Sequence, residues 1–405
     1  MTASRQRHAV PAVVVGMHLG GLGVTRSLAA AGVPVIAVHD SAEAPEMASR
    51  RISRRIVLPI RTQGLIDGLL ELARELPERP VLIATVRLPL LLISEYRARL
   101  EEAYRFVLPP HAVVQDGENK ERLLPMAERA GLQLPRTLVL KDETALASAA
   151  GFRYPVILKP ADNDPAYMRR FKKAYILEAP EVLTTLVRSI WPYYQDLVLQ
   201  EWIPGGDDHL YFCLQYRSAA GEVRGSFVGR KLYSWPPGKG ATAACTADHQ
   251  YTGEVRAVTD ALLGGIGANG FGSIELKRHR HTGELFLIEP TVGRTDQQEE
   301  VAMLNGINLP YIGYCDQLGL PLPDMRPAER PQTWVNPIAT RWARQQLRAQ
   351  GEPRPGLRVG GGAVHDAYFR LTDPAPGVLG RLALMPRIGR PLRRSYAFMR
   401  RLAVR

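Results

Sequence analysis

Short apolar runs alternate with helical patterns over the first 115 residues. The run Val13–Val15 leads into a turn and a helical stretch, and a second apolar run follows at Val33–Val38. This order predicts a strand–turn–helix–strand unit. Further strand and helix patterns continue an open α/β domain over residues 1–115, at Arg55–Leu58, Leu65–Leu76 and Pro80–Ala84.

Glycines at the first turn leave two interpretations open; they are Gly16, Gly20, Gly21 and Gly23. They can admit a phosphate to the N-terminus of the helix, or they can let the helix pack closely on the strand. The spacing is not G-x-G-x-x-G, and Asp40 alone is a weak ribose marker. An NAD-dependent oxidoreductase is therefore a minor alternative.

Residues 116–200 contain a predicted helix followed by strands. In DGENKERLLPMAERAGLQLPRT the apolar residues recur at helical spacing, with Lys120 near the start. Strands are predicted at Arg136–Leu140 and in YPVILKP, whose apolar part ends at Lys159. The polar stretch ADNDPAYMRRFKK, residues 161–173, is predicted to be a mobile loop.

Two later strands run into glycine-rich turns. DLVLQEWIPGGDD ends in a Pro-Gly-Gly turn, and GSFVGRKLYSWPPGKG carries the adjacent cations Arg230 and Lys231 into a second glycine-rich segment.

A pair of carboxylates marks a predicted hairpin in GFGSIELKRHRHTGELFLIEP. Strand-like segments at Ser273–Lys277 and Glu284–Glu289 flank a turn with Gly283 at positive φ. If the turn centres on Thr282, Glu275 and Glu289 lie directly opposite, about 5 Å apart at Cβ, where like charges repel. A bound Mg²⁺ would reverse that repulsion. Two solvated glutamates, or a one-residue change of register, are the alternatives.

The composition is that of a globular protein of two or three domains, with 405 residues, 45% hydrophobic and 23% charged. No apolar run reaches the length of a membrane span, and the start has no signal-peptide pattern. Three widely spaced cysteines fit neither a disulfide framework nor a zinc site, so a reducing cytoplasm is expected.

The net charge of +12 is concentrated at the C-terminus. Residues 381–405 contain eight arginines and no acid, which leaves +4 for the rest of the chain. Aliphatic residues alternate with these arginines. We expect the tail to pack on the body of the protein, with contact to the anionic inner face of a membrane or binding to a partner as the alternatives. No specific nucleic-acid binding is expected, since aliphatic side chains do not stack on bases.

The order of these motifs, from about residue 10 to about residue 320, resembles the ATP-grasp superfamily and more closely its predicted carboxylate–amine ligases. The resemblance implies an α/β and α+β protein. An N-terminal open α/β, Rossmann-like pre-ATP-grasp domain (1–115) would precede a two-lobed ATP-grasp domain. The small lobe would span 116–200 and the large lobe, with the metal site, 201–325. A C-terminal extension, 326–405, would end in the basic tail.

The resemblance also implies a role for each motif in binding ATP and Mg²⁺. Lys120 and Lys159 would contact the phosphates, and Gln200, Glu201 and Ile203 would read adenine. Asp207 or Asp208 would bind the ribose hydroxyls. Glu275 and Glu289 would hold Mg²⁺. Arg230, Lys231 and Arg294 would neutralise the transferred phosphoryl group.

The implied reaction joins small-molecule carboxylate and amine substrates through an acyl phosphate with release of ADP, and a homodimer is compatible with it. A carboxylase that forms carboxyphosphate and a non-catalytic nucleotide-binding regulator are the alternatives. The sequence departs from the superfamily pattern at Thr291 and Gly293, where Asn and Arg are usual, with Arg294 one position later. The stretch 161–173 also lacks the usual glycines.

Overall fold

The computed structural model describes residues 8–117, 125, 127–128, 132–161, 164–172 and 174–384. The predicted site residue Lys120 and the tail beyond residue 384 lie outside the described residues. Within them, three sheets follow one another along the chain. The boundaries of the four segments inferred from the sequence stay a prediction.

The first sheet is parallel and has four strands, in the order β3-β2-β1-β4. Its strands are β1 (Ala12–Val15), β2 (Val35–His39), β3 (Arg54–Val57) and β4 (Val81–Ala84). The helices of this part are α1 (Leu19–Ala30), α2 (Gly64–Arg74), α3 (Arg87–Glu95), α4 (Arg97–Leu100) and α5 (His111–Gly117), with a short 3-10 turn at Pro45–Ala48. β1 and β4 are buried at every position, as near-continuous apolar strands between helical layers should be.

The second sheet is antiparallel, in the order β5-β8-β6-β7. Its strands are β5 (Thr137–Leu140), β6 (Val156–Pro160), β7 (Tyr175–Leu177) and β8 (Leu197–Glu201). The helices are α6 (Glu143–Ser148), α7 (Pro165–Arg170) and α8 (Pro180–Ile190), with a 3-10 turn at Ala149–Gly151.

The third sheet has seven strands in the order β13-β12-β9-β10-β11-β14-β15. They are β9 (Leu210–Arg217), β10 (Val223–Trp235), β11 (Ala241–Ala247), β12 (Gly270–Arg278), β13 (Leu285–Val292), β14 (Thr333–Val335) and β15 (Val364–Asp366). The helices are α9 (Thr252–Gly265), α10 (Glu300–Leu304), α11 (Leu309–Leu318), α12 (Pro337–Ala349) and α13 (Ala375–Leu384), and Asp207–His209 forms a 3-10 turn. A parallel sheet followed by two antiparallel-rich sheets confirms the predicted fold class.

The glycines of α1 serve close packing. A Cβ at Gly21 would lie 2.2 Å from the carbonyl oxygen of Gly16, and a Cβ at Gly23 would lie 3.0 Å from Glu300 Cβ. The helix is therefore pressed against its own strand and against α10, which follows the predicted acid motif. This contact explains the glycines without a bound dinucleotide.

The predicted loop 161–173 contains a helix, so the prediction of a loop throughout this stretch is wrong. Asp164 accepts a hydrogen bond from the backbone N–H of Tyr167 at 2.7 Å, and Pro165 occupies the first turn of α7. An aspartate N-cap followed by proline is a helix start signal. The helix was not predicted because the composition of the stretch is mostly polar and was interpreted as that of a loop.

The C-terminal segment packs on α1 through a buried ion pair. Arg26 of α1 donates to Asp373 Oδ2 at 2.9 Å, and both side chains are buried. Ser49 Oγ donates to the same carboxylate oxygen at 2.8 Å. Residues in α13 add apolar contacts to Ala48. Among the described residues, no helix combines the length and apolar character that a membrane span requires.

Candidate active site

A cavity of about 240 Å³ lies between the second and third sheets; we call it the central cavity. Its walls come from β6 and β8 on one side and from β10, β12 and β13 on the other. It is lined by eight of the residues singled out in the sequence: Lys159, Gln200, Glu201, Ile203, Lys231, Glu275, Glu289 and Arg294. Side chains that lie up to 135 positions apart in the chain thus surround one space.

The two glutamates of the hairpin pair directly across β12 and β13, which confirms the predicted register. Gly283 adopts φ +78° at the turn, also as predicted. Nearer the turn, Leu276 pairs with Leu287, so Ile288 is an extra residue that forms a bulge. The bulge shifts β13 by one position and brings Glu289 opposite Glu275.

A buried lysine bridges to one of these acids. Lys231 Nζ lies 2.6 Å from Glu275 Oε1, and the lysine side chain is only 3% exposed. Burial lowers the pKa of the Lys231 ammonium, but the carboxylates around it, Glu275 first, reverse the effect and leave the pKa raised. Burial raises the pKa of Glu275, an effect that Lys231 opposes and Asp296 reinforces. The pair places a fixed positive charge beside the acids.

The neighbouring cation, Arg230, does not line the central cavity. Successive residues of a strand point to opposite faces of the sheet. Arg230 accordingly lies on the other face of β10, with Nε 4.0 Å from Asp248. The sequence motif of two adjacent cations therefore supplies one cavity residue, Lys231.

At the second sheet, Lys159 and Gln200 form a hydrogen-bonded chain. Lys159 Nζ donates to Gln200 Oε1 at 3.0 Å, and Gln200 Nε2 donates to Thr137 Oγ1 at 2.9 Å. β6 and β8 are neighbours in the sheet, which brings the two side chains together. In this arrangement the amide of Gln200 orients the lysine.

The two aspartates after the hinge segment (Gln200–Ile203) lie outside the lining of the central cavity. Asp207 is buried and accepts hydrogen bonds from the backbone N–H groups of Ser234 at 2.7 Å and Gly238 at 2.8 Å. Asp208 Oδ1 lies 3.0 Å from His209 Nδ1. Asp207 thereby fixes the connection between β10 and β11, which forms part of the cavity wall.

Lys277 is a cavity residue that sequence reasoning missed. It is 3% exposed, its ammonium lies 4.0 Å from the ring centroid of Trp202, and Nζ has no hydrogen-bond partner among the described residues. Burial lowers the pKa of Lys277 to about 8, although Asp207 and Asp208 oppose the shift. The two-residue period of a strand was the available signal, since Lys277 shares a face with Glu275.

Asp296 is a second missed residue, at the acid end of the cavity. Its Oδ2 accepts hydrogen bonds from Ser273 Oγ at 2.9 Å and from Gln298 Nε2 at 3.2 Å. Gly293 at φ +78° turns the chain after β13 and leads Arg294 and Asp296 back to the cavity. The only sequence signal for Asp296 was its position two residues after Arg294.

The donors at the acid end fit Mg²⁺ held together with a nucleotide. The described residues contain no group of three or more His, Cys, Asp and Glu side chains arranged for a metal ion. Mg²⁺, however, is usually held by one or two carboxylates together with substrate phosphates. Glu275 and Glu289 supply hard oxygen donors, and Lys159 and Arg294 supply charge for phosphates.

Comparisons by sequence give no match, either to a protein-family model or to a curated protein. Comparison of the fold gives strong matches to solved structures. N5-carboxyaminoimidazole synthetase from Staphylococcus aureus, complexed with ADP, matches with a TM-score of 0.64 at 12% identity, over 88% of this chain and 93% of that one. L-amino acid ligase from Bacillus licheniformis matches with a TM-score of 0.59 at 16% identity, over 81% and 79%.

A third match is the biotin carboxylase domain of the Hydrogenobacter thermophilus 2-oxoglutarate carboxylase, in complex with MgADP and bicarbonate. Its TM-score is 0.60 at 16% identity, over 80% of this chain and 74% of that one. This chain has the ATP-grasp fold. The ATP-grasp resemblance seen in the sequence is thus confirmed at the level of fold. Identities this low leave the reaction to be inferred from the site.

Proposed function

We propose that this chain is an ADP-forming ligase that joins a carboxylate to an amine through an acyl phosphate. The observation that carries the proposal is that one cavity collects Lys159, the hinge segment, and the paired acids Glu275 and Glu289 from separate parts of the ATP-grasp fold. A cavity with an apolar end for the base and an acid-and-cation end for the metal and phosphates suits a nucleoside triphosphate.

Adenine would occupy the end of the cavity lined by the hinge segment and Leu210. The apolar side chains of Ile203 and Leu210 offer surfaces for a flat ring, and backbone groups around Glu201 and Ile203 would select the base. Lys159 would contact the phosphates as a flexible point charge. Lys120 stays a proposed second phosphate contact, and Asp208 stays the proposed ribose contact because the carboxylate of Asp207 already binds two backbone N–H groups.

Glu275 and Glu289 would hold Mg²⁺, which when bound neutralises charge on the β- and γ-phosphates. Arg294 would stabilise the charge of the transferred phosphoryl group, a task for which a rigid guanidinium is suited. Lys231 would keep Glu275 oriented and add to the positive field. Arg230 faces away and is not assigned to this chemistry.

The reaction needs no nucleophile from the protein. A carboxylate oxygen of the substrate attacks the γ-phosphorus, the bond to the β–γ bridging oxygen breaks, and ADP leaves. The amine nitrogen then attacks the acyl carbon, phosphate leaves, and the nitrogen loses its proton to give an amide. The protein contributes positioning and electrostatic stabilisation, which account for most of phosphoryl-transfer catalysis.

A carboxylase is the second candidate, because one matched structure is a biotin carboxylase domain in complex with MgADP and bicarbonate. In that reaction bicarbonate replaces the organic carboxylate, and carboxyphosphate replaces the acyl phosphate. The same central cavity would serve both reactions.

ADP release decides between the candidates. The purified chain would be given MgATP with a mixture of amino acids and sugar acids, in carbon dioxide-free buffer and again with bicarbonate. A ligase releases ADP and phosphate without bicarbonate and only when a carboxylate and an amine are both present. Release that depends on bicarbonate would indicate the carboxylase. Binding of MgATP without ADP release under either condition would contradict both and favour a nucleotide-binding regulator.

A further inference from the structure

A second cavity of about 480 Å³ adjoins the central cavity. It is enclosed by the 3-10 turn Pro45–Ala48, the end of β10 with the start of β11, the start of α12, and the C-terminal segment from Asp366 to Arg381. Most of this wall belongs to parts of the chain after residue 330, where the sequence resemblance had ended. We call it the side cavity.

The two cavities meet at the acid end. Ala241, Thr242 and Gln297 line both of them. Gln297 follows Asp296 directly, and its Nε2 donates to the carbonyl oxygen of Thr242 at 3.1 Å. Trp202 and Ile203 of the hinge segment do not line the side cavity. A molecule in the side cavity would therefore lie beside the transferred phosphoryl group and away from the base.

The lining of the side cavity is largely apolar and aromatic. Trp235 and Trp342 have ring centroids 5.6 Å apart, and Trp342 is 43% exposed. Ile338 and Trp342 are four residues apart on α12 and so share one face of the helix. Tyr368 completes the aromatic wall. A large indole left this exposed beside a cavity is a surface for a ligand.

One charged group of the lining has no counter-charge. Glu46 is 8% exposed, its carboxyl group accepts a hydrogen bond from its own backbone N–H, and no other described residue donates to it or forms an ion pair with it. The other two charges neutralise each other, because Arg381 lies 3.0 Å from Asp366. Burial raises the pKa of the Glu46 carboxyl, and the hydrogen bond from its own backbone N–H opposes that shift only in part.

We infer that the side cavity binds the amine substrate, as an ammonium compound with an apolar or aromatic body. The inference rests on the proposed ligase function. An ammonium group would supply the counter-charge that Glu46 lacks, and it would pass one proton to that carboxylate before its nitrogen attacks the acyl carbon. The aromatic faces of Trp235 and Trp342 attract cations as well as apolar groups. A carboxylate in the same place would meet the negative charge of Glu46. The carboxylate substrate is thus left to the acid-and-cation end of the central cavity.

This assignment gives the C-terminal extension a function. Asp366, Tyr368 and Arg381 form one wall of the side cavity, and the buried Arg26–Asp373 pair fixes that wall to the first domain. The extension is thereby a specificity-determining part of the protein.

Isothermal titration calorimetry of the full chain with 2-phenylethylamine, in the absence of nucleotide, tests the inference. The probe should bind at one site, and Glu46→Gln, which keeps the shape and removes the charge, should weaken binding at least tenfold. Trp342→Ala, at a position that is 43% exposed, should weaken it as well. The matched control is Glu43→Gln, an exposed acid three residues earlier that does not line the cavity; its affinity should equal that of the unaltered protein.

Phenylacetate, which has the same ring and the opposite charge, should give no binding heat. Tighter binding of phenylacetate, equal affinity in Glu46→Gln, or no binding of 2-phenylethylamine would each overturn the inference. A parallel titration with MgATP separates the two proposals. MgATP binding without amine binding would reject the side-cavity assignment alone, whereas amine binding without MgATP binding would reject the ligase function and retain the cavity as an ammonium site.

Discussion

Lys231 Nζ and Glu275 Oε1 lie 2.6 Å apart in an ion pair between a buried lysine and a half-buried glutamate, on two strands of the large sheet with β9 between them. The pair connects the positive side of the central cavity with its acids. Removing Glu275 would leave the buried charge of Lys231 without its nearest counter-charge, and removing Lys231 would leave a half-buried carboxylate without its partner.

Lys231→Met should therefore destabilise the protein by about 1–3 kcal/mol, because the half-buried Glu275 would lose its partner. The double variant Lys231→Met with Glu275→Gln should recover part of that loss, since the orphaned charge is gone. Urea denaturation of the two single variants and the double variant measures the coupling. Arg326→Ala breaks an exposed pair of similar length, 2.7 Å to Asp324, and serves as the control, with an expected effect below about 1 kcal/mol. Additive effects of the two changes would contradict a coupled pair.

Lys159→Ala should weaken MgATP binding by about 1.5–3 kcal/mol, the worth of a charge-assisted hydrogen bond to phosphate. Lys141→Ala is the matched control, because Lys141 is exposed just after β5 and does not line the central cavity. Calorimetric titration with MgATP gives both dissociation constants. If Lys159→Ala binds as tightly as the control, this lysine is only a cation at the end of β6.

Glu299 predicts a pH dependence of stability. It is 2% exposed, Oε1 has no hydrogen-bond partner among the described residues, and burial together with Asp296 raises its pKa to about 8. Between the usual value of 4.5 and about 8, the folded protein holds a proton that the unfolded chain has lost. This group therefore makes the free energy of unfolding fall as pH rises through that window, by up to about 1.4 kcal/mol per unit.

Glu299→Gln should remove that slope, so its stability relative to the unaltered protein should improve steadily from pH 5 to pH 8. Urea denaturation at about pH 5, 6.5 and 8 measures the difference. Glu329→Gln, at an exposed position, controls for the loss of one acid. Parallel pH profiles for Glu299→Gln and the unaltered protein would show that Glu299 ionises normally in the folded state.

The sequence predicted the local patterns well and the long-range assembly poorly. Strand periodicity and Gly283 were sufficient to place Glu275 opposite Glu289, although the bulge at Ile288 that produces this register left no signal in the pattern. Arg230 and Lys231 are adjacent in the sequence and were therefore given the same role. Only Lys231 lines the central cavity, because neighbouring residues on a strand face opposite sides of the sheet. Asp296 lies on an irregular segment after β13, where no periodicity exists to be used.

The side cavity could not have been predicted from the sequence. Its walls meet only because Arg26 reaches Asp373, 347 positions away, and because α13 packs on the Pro45–Ala48 turn. Neither contact has a periodic or spacing signature. Glu46 carries no sequence signal at all, because it is distinguished only by being buried without a counter-charge.

The central claim is that Glu289 holds the metal of a MgATP that is consumed at this site. The most direct measurement is ADP release by Glu289→Gln beside Glu284→Gln, which changes an exposed acid of the same hairpin. Both variants should keep the thermal midpoint of the unaltered protein. Glu284→Gln should release ADP at the normal rate when a carboxylate and an amine are present, and Glu289→Gln should release none at any Mg²⁺ concentration. Normal ADP release by Glu289→Gln would contradict the account.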